Sequence, residues 1–197
     1  DVVVQSASLG DTAMPGAYTY NPAGEISTGW SQSAAGLAAG RLHSVVLLAN
    51  GKVVAWGDNG DGQTNIPAPN ADFATLSAGF GHTVGLKTDG AITAWGYNFF
   101  GQTNLPSPNS GFTAVEAGGY HCLGLKSDSS VVAWGRNADG ECNVPDPNTN
   151  FIAVAGGGQH SLGLKPGGMI VAWGGNSSSQ TNVPAPNTNF IAMAGGA

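Results

Sequence analysis

The sequence predicts an all-β protein of short antiparallel strands repeated in register, and three observations carry that reading. Trp56, Trp95, Trp134 and Trp173 stand 39 residues apart, and His43, His82, His121 and His160 keep the same step, as do Phe73, Phe112, Phe151 and Phe190. Within each copy the apolar residues alternate with a period of two, which suits a strand and not a helix. Only 9% of residues are charged while 32 are glycine, a balance that favours tight turns.

Each copy divides into three strands. A short apolar strand such as "FIAVAG" comes first. The second reads "HTVGLK" (His82 to Lys87) and places His82, Val84 and Leu86 on one face. Turn signals follow at Asn50-Gly51, Asp89-Gly90, Asp128-Ser129 and Gly167-Gly168, residues that tolerate the positive φ angles of a two-residue hairpin. The third strand carries the tryptophan, as in "KVVAWG" and "AITAWG". A polar loop such as "DNGDGQTNIPAPN" then leads to the next copy, and its prolines cannot donate to a ladder. Four copies are complete, and Phe190 to Gly196 reads as the opening of a fifth. Short strands at a period near 40 residues are the requirement of a β-propeller blade, which buries its faces only against neighbouring blades. The repeated tryptophan supplies apolar area for that packing. A β-solenoid is the rival architecture, with coils usually shorter than this period.

The unit "AGGYHCLGLKSDSSVVAWGRNADGECNVP" resembles the regulator of chromosome condensation repeat family. Its tail, of the "GQTNIPAPN" type, is most similar to the compact bacterial branch, which includes a secreted propeller inhibitor of β-lactamases. The resemblance spans about residues 34–197 and implies a seven-bladed propeller with three-stranded blades. It also implies a binding platform more than an enzyme, since only a few relatives exchange guanine nucleotides on small GTPases. Four units cannot make seven blades, so ring closure calls for the rest of a longer chain or for other copies.

The first 23 residues, "DVVVQSASLGDTAMPGAYTYNPA", fall outside the repeat. They resemble the last two strands of an IPT/TIG immunoglobulin-like domain, with residues 24–33 as a linker to propeller repeats at 34–197. Both ends of the chain then read as cuts through a larger extracellular or cell-surface protein.

Charge narrows the function. A formal net charge of −6 with six Lys and Arg opposes nucleic acid and anionic membrane surfaces. No apolar run approaches the roughly 20 residues of a membrane span. The carboxylates fall in turns and loop starts, so no catalytic constellation can be argued from spacing, and no cofactor is implied. The four histidines occupy the alternating apolar face, which favours buried imidazoles bonded to backbone over a metal ring. "DNGDG" (Asp58 to Gly62) lacks the downstream carboxylate of a calcium loop and reads as a turn. Cys122 and Cys142 stand where the other copies carry Ser or Thr, which leaves a disulfide between hairpin and loop or two free thiols open. Asn176 opens a glycosylation sequon in a loop.

Positions that vary between copies are those free for binding. They cluster just before the histidine, at Arg41, Phe80 and Tyr120, and after the tryptophan strand, at Arg136 and in "YNFFG" with Tyr97, Phe99 and Phe100. Aromatic and arginine side chains near turns are the types enriched at binding hot spots. The expectation is therefore a non-catalytic protein–protein interaction module. A secreted enzyme inhibitor and a glycan-binding propeller are alternatives, and guanine-nucleotide exchange ranks last.

Overall fold

The computed structural model describes Thr19–Tyr20, Ile26–Ser27 and residues 34–196. Contacts divide the chain into two units, residues 1–33 and 34–197. In the first unit, β1 (Thr19–Tyr20) pairs antiparallel with β2 (Ile26–Ser27). A strand therefore occupies part of the segment expected to be linker, because Ile26 finds a ladder partner in Tyr20. Most of the residues carrying the IPT/TIG resemblance lie outside the described residues.

The second unit holds four three-stranded antiparallel sheets, each a meander in chain order. Blade 1 comprises β3 (Ala34–Ala39), β4 (His43–Leu48) and β5 (Val53–Gly57). Blade 2 comprises β6 (Phe73–Ala78), β7 (His82–Lys87) and β8 (Ile92–Gly96). Blade 3 is β9 (Phe112–Ala117), β10 (His121–Lys126) and β11 (Val131–Gly135), and blade 4 is β12 (Ala153–Gly156), β13 (His160–Lys165) and β14 (Met169–Gly174). The first strands of successive blades touch one another and line a shared concavity, which is the arrangement of propeller blades. Phe190 follows the path of its equivalents, its N–H donating to Gly168 O as Phe112 N does to Gly90 O. Residues 189–196 form no ladder, because no second strand stands beside them among the described residues.

The hairpins are one residue longer than expected. Gly51, Ser129 and Gly168 donate to the carbonyls of Leu48, Lys126 and Lys165, and the glycine or serine takes a positive φ, 74° at Gly51 and 66° at Ser129. That is a three-residue loop with a left-handed last residue, not a two-residue turn. The Asn50, Asp89 and Asp128 side chains tighten it by accepting from the N–H two residues on.

The core lies between blades. One cluster joins Val84, Leu86 and Ile92 of blade 2 to Phe112, Val115 and Cys122 of blade 3, and a second joins Leu123, Leu125 and Val131 to Phe151, Val154 and Trp173 of blade 4. Alternation aims one face of each middle strand at the next blade and the other at the previous one. The second face must be thin, because the first-strand phenylalanine lies over it. A Cβ at Gly85 or Gly124 would stand 2.6 Å from the Phe73 or Phe112 ring. Lys87 and Lys126 close the sandwich with their ammonium groups 3.4 and 3.8 Å from those ring centroids.

Candidate functional site

The repeated histidines are locks between blades. His43 Nε2 lies 2.9 Å from Thr83 Oγ1, His82 Nε2 3.2 Å from Cys122 Sγ, and His121 Nε2 2.9 Å from Ser161 Oγ, each partner belonging to the next blade. Ser161 Oγ donates onward to Glu141 O, so it accepts from an Nε2–H, while Nδ1 of His43, His82 and His121 has no partner. The partner is thus a side chain, not the backbone group expected. Each ring packs over the glycine three residues earlier, where any Cβ at Gly40, Gly79 or Gly118 would overlap it. Burial holds His82 down to about 3 and His121 to about 4, with neighbouring imidazoles adding to the effect at both sites. The tryptophans make a second lock: Trp95, Trp134 and Trp173 Nε1–H donate to the carbonyls of Gln63, Gln102 and Glu141 in the preceding inter-blade loop.

In the structure Cys122 and Cys142, for which a disulfide and two free thiols were both open, are not bonded to each other. Each sulfur has its own neighbours: Cys122 Sγ sits in the His82 lock, and Cys142 Sγ donates to Arg136 O of its own loop at 3.1 Å. Burial pushes both thiols up, Cys142 to about 12, so neither is a ready nucleophile. Asp58 in "DNGDG" is used by the turn, accepting from Gly60 N and Gln63 Nε2. Asn176 of the sequon belongs to a repeated loop brace, its Nδ2 donating to Asn182 Oδ1 as Asn59 does to Asn65. Among the described residues no three His, Cys, Asp or Glu form a metal-holding group, and no helix is long and apolar enough to cross a membrane.

The variable positions converge. One backbone hydrogen bond per blade joins the two variable segments: Asp58 N to Leu42 O, Tyr97 N to Gly81 O, Arg136 N to Tyr120 O and Gly175 N to Gln159 O. All four place the pre-histidine turn and the post-tryptophan loop on one rim. On blades 2 and 3 the five aromatic candidates form a single cluster. Phe80 meets Tyr120 edge-on at 5.2 Å, Tyr120 lies 5.7 Å from Tyr97 and 5.5 Å from Phe100, and Phe99 meets Phe100 at 5.0 Å. Phe99 is 78% exposed and Phe100 38%. Arg41 is exposed on the equivalent turn of blade 1. Arg136 is engaged within its own loop, bridging Asp139 at 2.8 Å and pairing with the buried Glu141 carboxylate.

Three partners were not visible in the pattern. Asn70, Asn109, Asn148 and Asn187 each grip a residue at the start of a third strand, 17 residues earlier, at both its N–H and its C=O, as Asn109 does Ile92. Glu116 reaches the concavity and accepts from Ser77 Oγ at 3.1 Å, and burial raises its carboxyl above the ordinary range. Gln102 is buried, its Oε1 accepting from Phe100 N, while its Nε2 has no partner. The repeated asparagine was the one signal that could have been followed.

Together these features define a class: a tandem-repeat protein of propeller blades with locked interfaces and a variable rim. The chain belongs to the regulator of chromosome condensation (RCC1) repeat family, which matches residues 35–63, 73–102, 112–141 and 151–180, more than half of its length. It is similar to the ectodomain of the Physcomitrella patens receptor kinase CR4, at 25% identity and a TM-score of 0.67, covering 87% of this chain and 47% of that one. Similarity to the CRINKLY WD40 ectodomain of the Arabidopsis thaliana receptor kinase ACR4 is 26% identity with a TM-score of 0.66, over 84% and 58%. Prp20p from Saccharomyces cerevisiae, described with its binding to Gsp1p and histones, shares the fold at 23% identity, TM-score 0.66, over 79% and 47%. The chain spans about half the length of these solved structures. No curated protein sequence matches it.

Proposed function

We propose that the chain is a non-catalytic protein–protein interaction module of a larger extracellular or cell-surface protein, with the aromatic rim of blades 2 and 3 as its contact surface. The observation that carries this reading is the loop from Tyr97 to Gln102. In the equivalent loop of blade 1, Gln63 Nε2 donates to Asp58 Oδ2. In blade 3, Arg136 occupies the Asp58 position and pairs with Glu141. Blade 2 puts Tyr97 there, leaves the buried Gln102 amide without an acceptor and sets Phe99 in solvent. An unmade buried hydrogen bond costs about 1–3 kcal/mol, and departures from local consistency concentrate at functional sites.

The likeness to two receptor-kinase ectodomains supports the surface setting. Trp56 of blade 1 is 48% exposed, where the equivalent Trp95 and Trp173 are buried against a preceding blade, which supports ring closure by further repeats or by other copies. The test is affinity capture by the full-length protein from its own surface extract. Replacing Tyr97, Phe99 and Phe100 together by Ser should abolish capture while thermal unfolding stays unchanged. Undiminished capture would remove the rim from the reading.

A further inference from the structure

We infer that the aromatic rim takes a cationic segment of its protein partner, with a lysine or arginine side chain crossing the rings and ending at the Asp61 carboxylate. This rests on the rim being the contact surface and adds the chemistry of what fills it. Gly81 brings the two halves together: a Cβ there would lie 3.2 Å from Tyr97 Cβ and 3.7 Å from Asp61 Oδ2. A bare glycine leaves the carboxylate open beside the ring. Asp61 is exposed, and only its backbone N–H is engaged, donating to Gln63 Oε1.

The charges on this rim agree. Asp58, Asp61, Asp139 and Glu141 stand against Arg41 and Arg136. Arg136 is held by Asp139 and Glu141, and Asp58 by the Gln63 amide and Gly60 N–H. Asp61 is therefore the carboxylate left for a partner. The protein's own cations show what its rings accept, since Lys87, Lys126 and Lys165 each lie over a phenylalanine at the opposite ends of the blades. Among the described residues the rings of the rim have no such cation. An ammonium or guanidinium over exposed rings, anchored by a carboxylate, is the pairing their quadrupoles favour. A net charge of −6 steers such a partner inward and repels an anionic one.

The experiment is calorimetric titration of the full chain with three probes: an acetylated and amidated (Lys-Ala)4 peptide, its (Glu-Ala)4 counterpart, and chitotetraose. The lysine peptide should bind, and its affinity should fall roughly three- to fivefold in Asp61→Asn. Phe99→Ser should lose binding, and Asp128→Asn on a distant hairpin should not change it. Failure of the lysine peptide to bind overturns the inference, and so does binding that Asp61→Asn and Phe99→Ser leave intact. Binding of the glutamate peptide or of chitotetraose alone, lost in Phe99→Ser, would also overturn it while keeping the rim as a contact surface. The capture experiment with the triple serine variant decides that underlying reading separately.

Discussion

Blade 1 and blade 3 have the same three strands and the same hairpin, yet they are packed differently. Blade 3 lies between two neighbours, and its middle strand is buried on both faces. Blade 1 has a described neighbour on one side only, and its burial alternates. Three sequence changes accompany that difference. Where blade 3 has Phe112, Gly124 and Lys126, blade 1 has Ala34, Val46 and Leu48. Without a ring over the middle strand, no glycine is needed beneath it and no ammonium above it. Trp56 is 48% exposed, whereas Trp134 of blade 3 is half-buried and Trp95 and Trp173 are 5% and 6% exposed, all three with indoles bonded to the preceding loop. The residues of a blade thus answer to its neighbours more than to its own fold.

The sharpest way to break the comparison is truncation of the tryptophan. Trp173→Ala should cost about 3–5 kcal/mol in chemical denaturation, while Trp56→Ala should cost about 1 kcal/mol. Equal losses would mean that the lock does not depend on the neighbour. Next comes the glycine beneath the ring. Gly124→Val should cost about 3 kcal/mol by overpacking against Phe112. In a double-mutant cycle with Phe112→Ala, coupling of about 1–2 kcal/mol should appear. Additive losses would show that ring and glycine are independent.

The smallest effect concerns acid. His82 and His121 titrate far below an unfolded histidine, chiefly through burial. A lowered folded-state value means that their contribution is complete above about pH 6.5 and is lost as pH falls toward the folded values. Between pH 6.5 and 5 each should remove about 2 kcal/mol of stability. His82→Gln should flatten that slope in denaturation measured across the same range, and an unchanged slope would assign the acid sensitivity elsewhere.

Strand order, turn positions and the inter-blade role of tryptophan could be read from periodicity, because each depends on residues close in sequence or on bulk apolar area. Partner choice could not. The His82–Cys122 and His121–Ser161 contacts join residues about one repeat apart, so the period marks both members without pairing them. Cys122 drew attention as a departure from Ser, but its histidine neighbour explains the exchange: a thiol accepts from His82 as a hydroxyl would. The rim aromatics were legible as variable positions, and the backbone bond from Tyr97 N to Gly81 O explains why two separate variable segments share one site. Arg136 looked free only because Glu141, five residues on, stands where the other copies have glutamine.

The inter-blade lock has a consequence for descent. Donor and acceptor lie on the same 39-residue unit, one on the face that leads and one on the face that follows. A tandem duplication therefore creates a working interface at once, with no new complementarity to be found. Mutation is then spared the seams and can spend its variation on the rim, where one copy has acquired aromatics and the next an internal ion pair.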